Sequence, residues 1–485
     1  MRPALYLAMV AVAAFVGCTT VLGLDDLEYR DLPDAGPPDA SPPDAGPPDA
    51  GPPSGSVLWS RRIGGQGDDR ASGVATDPSG DVVVSGCMGG VDAGVPGCIA
   101  QSESDVFASR YSSEGEPRWS NTFGDDADQF AESLAGGPSG TVIAGFFKGS
   151  FGFGGPLLVN TAATTDDLFF AKLGPTGSHL WSARYGTAGS EQALRVATDA
   201  DENVILTGVF GAMLNFGGEP LTGPQFQVNP FLAKFDTFGG LLWSQTFPAT
   251  GDVVPSSVAF DAAGNVLVTG LFPYSVNFGT GVLYGPAGNG NAFVATFLAN
   301  GDPRWAVPLI GAGYESGVAV NADSNGDVVV VGLFDGLVNL GGESFNFTSL
   351  GSRDIFVGKY SEFNGATLWA TTFGGPGYDR PHDVLVDAAG NIVIVGEFVE
   401  TVDFQGTTLT SVGGKDVFLV TLEPDGDVLR AQRFGDIADD IGYRLALGPS
   451  GEVFMAGSFA GTIRFGDEYL ESTGGSDAFL VKFAP

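Results

Sequence analysis

The sequence predicts an all-β chain folded as a single seven-bladed β-propeller, preceded by a signal peptide and a disordered stalk. Three observations carry that reading. Trp59, Trp119, Trp181, Trp243, Trp305 and Trp369, all six tryptophans of the chain, recur at spacings of 60 to 64 residues. Short β-branched runs joined by glycine-containing turns fill the intervals. The repeat also opens with one strand and closes one strand short, which a ring requires and an open stack does not. A period near 60 accommodates four strands and a hairpin insertion.

Each unit reads the same way. A first strand, as in Gly317-Val318-Ala319-Val320 or Asp383-Val384-Leu385-Val386-Asp387, leads through a turn to a second, as in Asn265-Val266-Leu267-Val268-Thr269-Gly270. The turns Asp77-Pro78-Ser79-Gly80, Asp261-Ala262-Ala263-Gly264 and Asp387-Ala388-Ala389-Gly390 suit this role. Aspartate starts them through its side chain, and glycine takes the left-handed position. Glu202 stands where the third unit should have glycine, so that turn is expected to differ. Continuous apolar runs mark strands covered on both faces.

Phe151, Phe216, Phe278, Leu340, Phe404 and Phe465 then recur before the third strand, which begins with motifs such as Asp105-Val106-Phe107, Asp354-Ile355-Phe356 and Asp477-Ala478-Phe479. The fourth strand carries the tryptophan, and Leu429 is expected to take its place in the unit that lacks one. Seven sets of the first three strands occur, and the last has no fourth. The leftover Trp59 strand at the start is expected to complete it and close the ring.

The recurring Gly-Asn-Val-Val-Val-x-Gly after Asp-Ala-Ala-Gly, with the Asp-x-Phe-Val-x-Lys-Tyr strand, resembles the bacterial seven-bladed β-propeller repeat proteins known as SBBP. The resemblance covers residues 57–485. It implies the fold and an exported protein, and it does not imply a ligand.

Residues 1–17 read as a signal peptide. Arg2 supplies a positive start, and residues 4–16 form an apolar run too short to span a bilayer. Ala14-Phe15-Val16-Gly17-Cys18 resembles the lipobox of bacterial lipoproteins, which implies that Cys18 is lipidated. Phe15 departs from the leucine usual in that family. Thr19, in place of aspartate, implies the outer membrane or cell surface. Residues 18–56 form the stalk, and the repeated Asp-Ala-Gly/Ser-Pro-Pro unit over residues 34–54 favours an extended polyproline-like segment. No other run of 18 apolar residues occurs.

The formal charge of −35 argues against nucleic acid as a partner and against adsorption to an anionic surface. The lipid anchor is the one expected membrane contact, and the propeller is expected to be a monomer. Cys87 and Cys98 lie close in sequence and, in an exported chain, read as one local disulfide. They also mark the first unit as the one that breaks the repeat.

An acid stands in every loop leading to a first strand: Asp69, Asp128, Glu191, Asp252, Glu315, Asp379 and Asp440. Asp69, Glu191, Asp379 and Asp440 share a register, and the other three are shifted. Two readings compete. The acids ring the channel mouth and attract a cation or a basic partner, or each closes its own loop by accepting backbone N–H bonds. The second is favoured. Calcium is the cation that oxygen ligands would suit, but no EF-hand or nonapeptide array occurs, and no cofactor is expected.

His179 and His382 read as loop hydrogen-bonding residues, and the tryptophans as packing between blades rather than a sugar-stacking set. No catalytic motif for a serine hydrolase, a zinc protease or a zinc ribbon is present. The expected function is a non-enzymatic surface module binding an unknown protein or glycan. The alternatives are an enzyme acting on envelope or external polysaccharide through mouth carboxylates, and a passive structural envelope protein.

Overall fold

The computed structural model describes residues 54–89, 104–162, 164–286 and 290–485. The signal peptide, Cys18, most of the stalk and Cys98 lie outside these residues. The described chain is built of β-strands, arranged radially in antiparallel sheets. One sheet shows the plan: an inner strand Asp69–Thr76, then Val82–Met88, Asp105–Tyr111, and an outer strand Pro117–Phe123, each hydrogen-bonded to the next.

The inner strands are Asp69–Thr76, Gln129–Gly137, Gln192–Thr198, Val254–Phe260, Glu315–Ala322, Asp379–Val386 and Asp440–Leu447. Each lies against the next, and the last lies against the first, so they enclose a central channel. We number the blades one to seven in that order. In blade seven the outer strand is Val57–Ile63, paired antiparallel with Glu468–Phe483 so that Ser60 faces Val481 and Ile63 faces Ala478.

The expected fold class, a single seven-bladed β-propeller with a hairpin insertion in its period, needs correction in how its strands group: the described strands form eleven sheets. Hairpins between second and third strands, which the period allows for, form sheets of their own or join a neighbour's. Ser150–Phe151 pairs with Leu158–Val159, Met213–Leu214 with Leu221–Thr222, and Thr401–Phe404 with Thr407–Thr410. Ala249–Thr250, on the outer edge of blade three, joins the hairpin of blade four. The hairpin Leu337–Asn339 and Asn346–Thr348 of blade six's predecessor sheet extends one sheet to six strands, through Ile310 facing Asn339. The physical reason is that an outer strand would otherwise expose unpaired N–H and C=O groups along its edge. Periodicity reveals a hairpin but not where its hydrogen bonds go.

The core lies between blades. Each apolar cluster draws side chains from two neighbours, as where Phe170 of blade two packs against Phe235 of blade three at 4.6 Å between ring centroids. The hairpin aromatics are buried there. Phe278 meets Phe247 of the preceding outer strand at 4.9 Å, Phe404 meets Phe373 at 5.1 Å, and Phe465 meets Phe434 at 5.3 Å. Such offset and edge contacts add about 0.5–1.5 kcal/mol each to area burial.

The tryptophans repeat the same logic at the opposite rim. Every indole N–H donates to a carbonyl in the next blade's turn between third and fourth strands. Trp119 reaches Pro175 at 2.9 Å, Trp181 reaches Thr237 at 3.0 Å, Trp305 reaches Glu362 at 2.8 Å, and Trp59 reaches Ser113 at 3.0 Å. The ring then stacks on the turn's glycine. Leu429 does not take this place in blade six: it is 57% exposed, and Arg430 occupies the equivalent position, facing Thr421. Its guanidinium donates to the Ser54 carbonyl. At this junction the two ends of the chain imitate the missing turn, with Gly55 N–H bonded to Ala484 at 3.0 Å and Ala484 N–H to Ser56 at 2.8 Å.

The turn at Glu202 also differs from expectation, because it keeps the common form. Glu202 N–H bonds to the Asp199 carbonyl at 2.9 Å with φ +59°. A left-handed non-glycine residue costs about 1–2 kcal/mol. The carboxylate offsets this by taking the buried ammonium of Lys172 at 2.6 Å.

Gly301 has φ +90°, and a Cβ there would come 3.0 Å from Trp243. Gly336 has φ +74° with open space around it. Gly301→Ala is expected to lower stability by more than Gly336→Ala, which reports the backbone cost alone at about 1–2 kcal/mol. Urea unfolding of both variants checks this, and equal losses would remove the stacking contribution.

Candidate functional site

The loop acids are built by the inner strands they precede. In six of the loops an N–H bonds back to the preceding blade just before its third strand: Asp379 to Arg353 at 3.0 Å, Glu191 to Asp166 at 2.8 Å, Asp440 to Lys415 at 2.8 Å, Glu315 to Gly290 at 2.8 Å, Gln129 to Ser104 at 2.7 Å and Val253 to Val228 at 3.3 Å. These bonds define the register. Glu315 belongs to it, together with Asp69, Glu191, Asp379 and Asp440, whereas the sequence reading had set it apart. In blades two and four the position holds Gln129 and Val253. Asp128 and Asp252 stand one residue earlier. There Asp252 accepts from the Val228 N–H at 2.8 Å, and Asp128 faces Lys148 at 3.7 Å.

The five in-register acids are fully buried. Asp69 accepts from Gly65 N–H at 2.6 Å, Glu191 from Thr187 at 2.8 Å, Asp379 from Gly375 at 2.9 Å, and Asp440 from Asp436 at 2.9 Å. Gln129 does the same with Asp125 at 3.1 Å. Each side chain thus closes the loop four residues upstream.

Most also meet a second buried carboxyl, the aspartate that opens the preceding blade's third strand. Burial, and then the charge of Asp354, pushes Asp379 up to about 8. Burial with Asp416 nearby pushes Asp440 up to about 8. Burial raises Asp69 to about 6, with Asp477 adding to it, and burial raises Glu315 to about 7. Among the described residues, Oδ1 of Asp354, Asp379, Asp416 and Asp440 has no hydrogen-bond partner. The nearby carboxyl adds to burial in disfavouring ionisation, while Asp416 also holds an ion pair with Arg433 at 2.5 Å. No group of three or more His, Cys, Asp or Glu side chains is placed to hold a metal ion among the described residues.

Each inner strand carries a β-bulge just past the acid, between Ala193 and Arg195 in blade three and between Gly442 and Arg444 in blade seven. Bulges re-aim side chains. Here they present a charged, one-sided group to the channel, which sequence reading missed. Arg70, Glu132, Arg195, Asp383, Tyr443 and Arg444 come from blades one, two, three, six and seven, which are consecutive in the ring. At the position of Arg195, Asp383 and Arg444, just past the bulge, blades one, two, four and five place Gly73, Ser133, Ser257 and Ala319. The available signal was the repeat itself: four residues after the in-register acid the chain is small in four units and charged in three.

His382 sits in this region, buried, with Nε2 3.4 Å from Glu397 Oε2 and its ring 5.1 Å from that of Tyr443. Burial pushes its pKa down to about 4, so it is neutral at pH 7. Glu397 also meets Lys415 at 3.1 Å. His179 opens the outer strand of blade two and lies 3.1 Å from Ser182 Oγ. Cys87 is buried near the end of the second strand of blade one, and Cys98 lies outside the described residues.

The ring and its channel define a β-propeller. The chain is 22% identical over 408 residues to an uncharacterized WD repeat-containing protein of Acanthamoeba polyphaga mimivirus, covering 67% of this chain and 29% of that protein. It therefore spans less than a third of that relative's length. No protein-family profile matches the chain. Among solved structures it is similar to Sqt1 of Chaetomium thermophilum, with 11% identity, TM-score 0.41, and coverage of 87% and 85% of the two chains. BamB of Moraxella catarrhalis shares 12% identity at TM-score 0.36, with coverage of 88% and 99%. A polysaccharide lyase, an ulvan lyase bound to -[GlcA(1-4)Rha3S]-, shares 12% identity at TM-score 0.43, with coverage of 86% and 97%. These structural likenesses carry nothing about activity.

The raised carboxyls give a pH dependence with a definite sign. A carboxyl whose pKa is higher in the fold than in the unfolded chain stabilises the fold while protonated, and that contribution is lost as pH rises through the folded value. Resistance to urea is expected to fall as pH rises from about 4, the ordinary carboxyl value, to about 8, where Asp379 and Asp440 titrate in the fold. Asp379→Asn and Asp440→Asn, which mimic the protonated form, should flatten that decline. A midpoint independent of pH over this range in the parent protein would contradict the raised carboxyls.

Proposed function

We propose that this propeller is an exported, lipid-anchored bacterial protein that acts as a surface module binding a protein or glycan. Residues 1–17 direct export, Cys18 carries the lipid, and residues 18–56 hold the propeller away from the outer membrane. The SBBP-type repeat resemblance supports this address. A disulfide between Cys87 and Cys98 ties the loop that distinguishes the first blade.

The binding reading rests on the rim where the inner strands begin. Phe226, Leu350 and Ile437 on loops and Tyr284 at the end of a hairpin strand are 91%, 75%, 76% and 71% exposed on that rim. Large apolar side chains displayed on scaffolded segments around one rim are a mark of contact surfaces, because a partner removes them from water. The in-register acids support binding over polysaccharide chemistry. They are buried beneath their own loops, where a polymer does not reach them.

The test uses the full-length protein as bait against envelope and culture fractions. A partner captured by the parent protein is expected to be lost on replacing Phe226, Leu350 and Ile437 together by serine, with the far-ultraviolet spectrum unchanged. Capture that survives the triple replacement would overturn the rim as the binding surface. Cys18→Ser is expected to abolish incorporation of labelled fatty acid and release the protein to the soluble fraction. Unchanged labelling would overturn the anchor.

A further inference from the structure

The chain as a whole is strongly acidic, yet one wall of its channel is not. Arg70, Arg195 and Arg444 face that space with Glu132 and Asp383 as the nearby acids. Among the described residues neither carboxylate forms an ion pair with Arg195 or Arg444, although Asp383 lines the same cavity and its charge acts on both. Glu132 takes Arg70 at 3.3 Å, and Asp383 accepts the Leu445 N–H at 2.9 Å. Arg70 also lies 5.4 Å over the ring of Tyr443.

Arg195 is the group left over. Its one hydrogen bond among the described residues runs to the carbonyl of its own neighbour Leu194, at 2.6 Å, and it forms no ion pair there. Arg444 bonds to the carbonyls of Tyr443 at 2.7 Å and His382 at 3.3 Å, and its Nε has no partner. The Nε of Arg70 has none either. Both Arg195 and Arg444 line a cavity of about 320 Å³ in the channel. Guanidinium forks with free donors, converging on a cavity, match the paired oxygens of carboxylate or phosphate.

We infer that the channel is a binding site for a small ligand bearing an oxyanion group, carboxylate or phosphate, held by Arg195 and Arg444 with Arg70 beside them. The site is independent of the rim surface, since it uses none of the same residues. Burial, followed by the charge of Arg444, pushes Arg195 down to about 9, with Glu132 and Asp383 opposing the shift. It stays charged at pH 7, and an incoming anion adds counter-charge. The surrounding Val74, Ser257 and Ala319 leave room for an uncharged body of modest size.

The test is calorimetric titration of the full-length protein with inorganic phosphate and with glucuronate, at constant ionic strength set by chloride. Binding of at least one probe is expected. Phosphate alone or glucuronate alone identifies the oxyanion geometry that fits. Arg195→Gln should weaken binding by roughly tenfold or more, the loss expected for a charge-assisted bidentate contact. Arg195→Lys should restore it in part. Arg118→Gln, on the outer strand of blade one, should leave it unchanged.

A second readout covers a variant that folds poorly. In chloride alone, Arg195→Gln is expected to raise the melting temperature, because it removes an uncompensated charge, and to lose the shift that the bound probe gives the parent protein. Binding of neither probe by the parent would overturn the proposal. So would affinity unaltered in folded Arg195→Gln, or an equal loss in Arg118→Gln.

Discussion

The contact between adjacent blades is the constraint on which the rest of this structure depends. No blade has a core of its own. Its second and third strands are apolar on both faces, and neighbouring sheets must cover them. Two aromatic devices hold that contact at its outer margin: the indole that bonds to the next blade's turn and the hairpin phenylalanine that packs on the preceding outer strand. Because every blade needs two neighbours, an unclosed array would leave one apolar face bare and one strand edge unpaired. Closure of the last blade by Val57–Ile63 removes both.

The same junctions explain why the repeated polar residues are where they are. An acid at the start of an inner strand closes its own loop and sits against the aspartate of the preceding third strand. Its backbone N–H bonds to that same blade. Two carboxyls come together there because each is needed by its own loop, and burial with a like charge nearby favours their protonated form. Ser133, Ser257 and Asp383 add another layer by accepting an N–H from the next inner strand. At that layer blades three and seven depart from the pattern and place Arg195 and Arg444. A ring that is nearly uniform in its joints is therefore lopsided in its channel.

Much of this was legible from residues whose physical demands repeat. Tryptophan marked the outer strands because a bulky indole needs the same pocket in every blade. Aspartate and glycine marked the inner turns because the backbone there needs a side-chain acceptor and a left-handed residue. The misreadings have equally specific causes. Leu429 was matched to tryptophan by hydrophobicity, although leucine precedes tryptophan at Leu58, Leu180, Leu242 and Leu368, so Arg430 was the true equivalent. Glu202 suggested a different turn because its partner, Lys172, is distant in sequence and invisible without the fold. Glu315 was set apart with the shifted Asp128 and Asp252, although its backbone bond to Gly290 puts it in register; in the other two a one-residue shift does give the position to Gln129 and Val253.

Spacing and local chemistry by themselves determined that the chain is a closed β repeat, where its units begin, and that its last blade borrows a strand from its start. Those features follow from demands that recur within each unit and are written at fixed intervals. Tertiary structure alone decided which carboxyls face one another, where the hairpin strands find their hydrogen bonds, and that arginines from blades one, three and seven meet in one channel. Such relations join residues from separate units, and whether a side chain lines the channel depends on a bulge in its strand. A linear repeat records neither.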